Sequence, residues 1–226
     1  MDWNGAIAKN RDALRRVVAE IFALLVVALE GSVSRLPRDV YLAAEGLLRP
    51  AESALRRLIV IAARGVQVAL GPKRPMPQGM KIIRTQSNRT PSFRLFDSRK
   101  HFSFEEQAPF EAPPQWGPHI HSIESFLQSR SVAPVVQTSF DSAILCRRFA
   151  ALKHALDTLP QQARRLARWR LRRAAMDKPK FLSPLRPGPP PGIRQRPRFD
   201  IDHVLRECHD LAHYALSLEA RQVDSS

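Results

Sequence analysis

Glycine is scarce in this chain, nine residues in 226. That leaves little material for loops that cradle phosphate with backbone N–H groups, and no P-loop, dinucleotide-binding glycine pattern or GxSxG elbow is present. Cysteine is scarcer still. Two residues, Cys146 and Cys208, allow one disulfide at most and give neither a disulfide framework nor a zinc pattern. The HExxH glutamate is missing, and no Cys–His or Ser–His–Asp arrangement stands at a recognisable spacing. With no catalytic motif, a non-enzymatic protein needing no cofactor is expected. Long apolar runs are lacking as well. The uninterrupted stretch Ile21–Leu29 is far short of the ~20 residues that span a bilayer, and Glu20 and Glu30 bracket it. The charged stretch before it, from Lys9 to Arg16, is unlike a compact signal sequence. A buried core helix is expected there, with membrane association as the alternative.

What the chain has instead is arginine and proline. The basic residues are 29 Arg and 7 Lys, proline numbers 19, and the formal net charge is +15. GC-rich coding raises Arg, Ala and Pro together, so the total by itself is uninformative. The distribution is not. Residues 1–70 carry +3, 71–140 carry +4, 141–178 carry +7 and 179–199 carry +5, whereas 200–226 carry −4. So concentrated a positive field attracts nucleic acid or another polyanion, an acidic protein or anionic lipid. Part of it is open to neutralisation by the acidic final segment folding back.

Hydrophobic periodicity predicts a mainly α protein. Residues 1–70 read as a helical bundle or hairpin. One helix covers 3–30 (Ile7, Leu14, Val17, Ile21, Leu25, Ala28) and a short one runs from Pro37 to Leu48. A break at Pro50 then opens a third over 51–70, which Gly71-Pro72 stops. Residues 71–139 form a Pro-rich irregular middle. Phe93/Leu95 and Phe102/Phe104 alternate about DSRK as a candidate small β-hairpin, MKIIR at 80–84 offers a third strand, and Phe110, Trp116 and Phe126 offer anchors. The C-terminal unit, 140–226, contains helices at 141–159, 160–176 and 200–218, and it is a candidate to share one core with 1–70. A Pro-rich linker, 179–199, is expected to be extended and to offer a docking segment to a protein partner. Asp200 is a natural N-cap for the last helix, with Phe199 and Val204 spaced as a hydrophobic staple. Cys208 lies on that helix's apolar face and is expected to be a buried, reduced thiol.

On a helical wheel at ~100° per residue, 160–176 separates into two sides. Ala163, Leu166, Ala167, Leu171 and Ala174 share one arc; Arg164, Arg165, Arg168, Arg172 and Arg173 take the other, with Trp169 among them. Arg170 alone points to the apolar side, where it can snorkel or meet a carboxylate. These five arginines and Trp169 form the candidate polyanion site, an aromatic platform flanked by guanidiniums. The opposing reading has Trp169 packed under Arg165, Arg172 and Arg173 or covered by the Pro-rich linker. His119 and His121, with His209 and His213 one helical turn apart, are weak metal candidates.

The segments RRFAALKHALDTLPQQARRLARWRLRR, PLRPGPPPG and DIDHVLRECHDLAHYAL resemble those of a family of uncharacterised bacterial proteins. LRPAESALRRLIVIAARG shows a weaker likeness. The resemblance covers chiefly the C-terminal third and implies a bacterial cytoplasmic protein; no activity and no site residue comes with it. The leading expectation is therefore a basic helical protein that binds nucleic acid or another polyanion through 164–173. A protein–protein interaction module is the alternative, and a membrane-associated protein acting through the first helix is the third.

Overall fold

Five helices and one two-stranded ladder make up the regular structure of the residues that the computed structural model describes, namely 1–29, 35–70, 91–97, 140–175 and 183–224. In chain order these are α1 (Trp3–Leu29), β1 (Arg35–Leu36), α2 (Arg38–Ala62), β2 (Phe140–Asp141), α3 (Ser142–Asp157), α4 (Leu159–Ala174) and α5 (Asp200–Asp224). The fold is mainly helical, as the periodicity predicts. The described parts of the N- and C-terminal helical segments belong to one unit and share one core.

α2 is the central element, packed against each of the other four helices. The second half of α2 suits that position, because every residue from Ser53 to Ile61 is buried, Leu55, Leu58, Ile59 and Ile61 among them. Around it, α1 buries Leu14, Val17, Ile21 and Leu25, while α3 buries Leu145, Leu152 and Leu156. α5 contributes Ile201, Leu205, Cys208 and Ala212. Those stripes are the ones read from the sequence. The ladder is antiparallel, with Arg35 opposite Asp141 and Leu36 opposite Phe140. It joins the entrance of α2 to that of α3, whose first turn is capped by Asp141 Oδ1 accepting from Ala143 N at 2.8 Å.

The break expected at Pro50 does not occur. A single helix runs through it from Arg38 to Ala62. Proline removes the N–H that would bond the carbonyl four residues back and crowds that carbonyl, at a cost of ~3 kcal/mol or more. Here the orphaned acceptor is Gly46 O, and Arg194 Nη2 donates to it at 3.1 Å. The substitute comes from the Pro-rich linker, 148 residues away in sequence, which no local rule anticipates. α2 also stops before 70. Gly65, at φ 69°, reverses the chain just past Ala63, and it rather than Gly71 is the terminator.

The linker itself is a strap rather than an extended polyproline segment. Gly188 and Gly192 adopt φ of 78° and 86°, which interrupts polyproline geometry. Ile193 N donates to Pro190 O at 3.2 Å, and the Arg186 guanidinium donates to Pro189 O at 2.7 Å. Pro184, Leu185, Pro190 and Pro191 are buried, so these prolines are occupied by the protein's own core. The strap leads into α5 by a reversed cap. Asp200 falls inside the helix, and Asp202 reaches back to accept from Phe199 N at 3.2 Å and Arg198 N at 2.9 Å. The expected staple does not form: Phe199 is exposed, with the Arg194 guanidinium 4.9 Å above its ring.

Phe93 and Leu95 are buried in the core, but 91–97 is not a strand. Phe102, Phe104 and the rest of the candidate hairpin lie outside the described residues, as do MKIIR, Phe110, Trp116 and Phe126.

Gly192 gives the direct check on the strap. A Cβ there would meet Pro50 N at 2.8 Å on top of the positive φ, whereas one at Gly65 would meet open space. Gly192→Ala is expected to lower unfolding free energy by about 2–4 kcal/mol and Gly65→Ala by about 1–2 kcal/mol in urea titrations.

Candidate polyanion-binding surface

Helix α4 starts with Pro160 in its first turn, follows Thr158 at the α3 junction, and carries Arg172 and Arg173 in its last turn, where cations complement the helix dipole. Ala163, Leu166 and Ala167 are buried as expected. Leu171 and Ala174 are not; the packing face ends about two turns early, and both are exposed. Arg164, Arg168 and Arg172 stand in solvent along the opposite side. Arg165, also largely exposed, donates to Phe93 O at 3.0 Å, and Arg173 is half-buried. Arg170 meets Glu219 of α5 at 3.0 Å, the carboxylate contact its position on the wheel allows. The acidic final helix thus folds back on the basic block at this point.

Trp169 is half-buried rather than free. Phe96 packs edge-on against it, with ring centroids 4.7 Å apart, so the indole is partly covered by the chain's own 91–97 segment. Phe96 is itself 38% exposed. The aromatic surface beside the arginines is therefore a two-ring ledge, and a cleft of 270 Å³ opens along it between Leu95, Arg165, Arg168 and Arg172. The sequence places the arginines correctly but gives no sign that a phenylalanine 73 positions earlier completes the ledge.

What holds 91–97 in place is a buried ionic network that periodicity also misses. Arg57 is fully buried on α2. Its Nη2 lies 3.1 Å from Asp97 Oδ2, its Nη1 donates to Ser53 O and Oγ at 2.9 and 2.7 Å, and its Nε donates to His209 Nδ1 at 3.2 Å. Asp97 also accepts from Arg186 N at 3.3 Å and donates its own N–H to Pro184 O at 3.0 Å. One guanidinium and one carboxylate thereby tie α2, the 91–97 segment, the strap and α5 together. Beside them Arg56 donates to Arg94 O at 3.0 Å, and Arg148 of α3 grips Glu52 with two bonds of 3.0 and 3.2 Å. Burial pushes Arg56 and Arg57 below the ordinary arginine value, and hydrogen bonding to Glu52 lifts Arg148 above it.

His119 and His121 lie outside the described residues. His209 and His213 pack edge to face with centroids 4.4 Å apart, and Nδ1 of His209 is committed to Arg57. Among the described residues no three His, Cys, Asp or Glu side chains gather into a metal-binding group. Cys146 and Cys208 are both free thiols; Cys208 is buried, and burial raises its pKa to about 12. No described helix is long and apolar enough to cross a membrane.

Two outcomes follow from the network. Removing either charge of a buried pair costs ~3–5 kcal/mol, because the survivor is left uncompensated. Arg57→Met and Asp97→Asn are each expected to destabilise on that scale, and a double-mutant cycle by urea denaturation should give strong coupling. The second concerns pH. Burial, then His213 and Arg57, hold His209 below its ordinary value, so the folded state binds fewer protons than the unfolded one. Its contribution is complete above the unfolded value of about 6.5 and is lost as pH falls through the folded value. Burial alone would raise Asp202, but backbone N–H groups of Arg198 and Phe199 and the Arg194 pair outweigh it and hold the carboxyl low. Its contribution is lost in a second, more acidic stage. The urea midpoint should fall between pH 7.5 and 5.5 in the natural protein, and much less in His209→Asn, which keeps an acceptor but cannot protonate.

No family model matches the chain, and no curated protein or solved structure is similar to it.

Proposed function

We propose that this chain is a non-enzymatic basic helical protein that binds nucleic acid or another polyanion through α4. The observation carrying the proposal is the exposed row Arg164, Arg168 and Arg172 beside the Phe96–Trp169 ledge. Their spacing of four residues sets successive guanidiniums about 6 Å apart along the helix, close to the distance between neighbouring phosphates of an extended strand. An aromatic edge next to such a row accepts the face of a base without reading its identity, which favours a single strand over a duplex. The same chemistry suits a bacterial cytoplasmic setting, which the resemblance implies and which belongs to the proposal with it.

A protein-interaction role is the second reading, favoured by the outer side of α1. Phe22 and Val26, one turn apart on the same face, are 55% and 39% exposed there, an apolar pair suited to packing against a partner helix. Association by that face would be insensitive to salt.

The two separate in one titration. Fluorescence anisotropy with a labelled single-stranded oligonucleotide is expected to show affinity falling steeply with salt. Arg164→Gln/Arg168→Gln/Arg172→Gln should weaken binding and reduce the slope of log K against log salt by about 2. All three side chains are solvent-facing, so the variant should keep the natural unfolding midpoint. Unchanged affinity in a folded triple variant would remove α4 as the site.

A further inference from the structure

On the other side of the 91–97 segment from α4 lies a second cleft, of 620 Å³, between that segment, α2 and α3. Its charged lining is four guanidiniums, Arg56, Arg94, Arg147 and Arg148, against one carboxylate, Glu52. The arginines differ in their state. Arg148 is satisfied by its two hydrogen bonds to Glu52. Arg94 and Arg147 are exposed on the rim, and among the described residues neither guanidinium has a hydrogen-bonding or ionic partner.

Arg56 is the informative one. Its side chain is 10% exposed, and the Phe93 ring lies 5.5 Å from its guanidinium carbon. Its Nε is bonded to Arg94 O, but its two terminal nitrogens approach carboxylates only at 3.6 Å, Glu52 for one and Asp97 for the other. Those distances give charge attraction without a hydrogen bond. A guanidinium held this deep, its terminal nitrogens paired only loosely with two carboxylates, lines a cleft whose rim carries two exposed arginines with no partner among the described residues, and the three together offer an acceptor-rich anion several N–H donors. The cleft's size fits a ligand of several tens of atoms rather than a bare ion. Phe96, which lines both clefts, supplies a partly exposed ring for a flat group.

We infer that this cleft is a binding pocket for a phosphomonoester of nucleotide size, its phosphate held by Arg56, Arg94 and Arg147 and its base against Phe96. A free nucleoside monophosphate and the 5′-phosphorylated end of a strand present that chemistry equally. The inference goes beyond the α4 surface and stands independently of it, since none of these arginines lies on that helix.

Isothermal titration calorimetry on the full chain, with adenosine 5′-monophosphate, adenosine and inorganic phosphate as probes, tests it. The monophosphate is expected to bind with one-to-one stoichiometry and adenosine not at all, with inorganic phosphate weaker than the nucleotide. Arg94→Gln/Arg147→Gln, both on the exposed rim, should weaken the monophosphate about tenfold or more while leaving the unfolding midpoint unchanged. The α4 triple variant should bind it as the natural protein does, which separates failure of this pocket from failure of the α4 surface. A 5′-phosphorylated oligonucleotide that outbinds its 5′-hydroxyl form would identify the strand end as the source. Equal binding of the two strands, with the monophosphate still bound, would identify the free nucleotide. Equal affinity for adenosine and its monophosphate, no binding of the monophosphate, or a folded rim variant that binds normally would each overturn the assignment.

Discussion

The contact between Arg57 and Asp97, 3.1 Å long and sealed from water, is the constraint on which the arrangement depends. A buried ion pair is poor as a net source of stability, because desolvating both charges offsets most of their attraction. Its value here is positional. Among the described residues Arg57 pairs with one carboxylate, Asp97, which brings the whole 91–97 segment with it. That segment is the wall between the two clefts and supplies Phe96 to both. Without it, α4 would present its arginines on a plain helix face and Arg56 would look onto solvent.

The same economy recurs at Pro50. The proline costs α2 one internal hydrogen bond, and the gap is where the strap docks, through Arg194 onto Gly46 O and through Gly192 against the proline ring and backbone. Arg194 also pairs with Asp202, which organises the first turn of α5. A local defect in the central helix thereby becomes the point that places the strap and the final helix.

Much of this was legible in the residues, and what escaped has a common cause. The stripes of α1, α3, α5 and the first two turns of α4 follow from spacing, because each buries a face against one neighbour. Arg164, Arg168 and Arg172 are exposed for the same reason. Pro50, by contrast, reads as a break under any local rule, since its compensating donor stands far along the chain. Arg56 and Arg57 read as ordinary polar positions, because the carboxylate that makes burial tolerable is 40 residues away from Arg57 in a segment without helical period. Trp169 sits between these cases. Its place among the arginines is visible from the wheel, and its partial cover is not, because Phe96 belongs to another part of the chain.

Contact of a polyanion with the exposed arginines of α4, as proposed, is read out residue by residue in arginine-modification footprinting with phenylglyoxal, followed by mass spectrometry with and without a single-stranded oligonucleotide. Arg164, Arg168 and Arg172 should be protected at low salt and released at high salt, while the exposed Arg38 and Arg49 of α2 react equally in both states. Protection of Arg38 and Arg49 with none on α4, or no protection anywhere under conditions of saturated binding, would remove α4 as the contact surface.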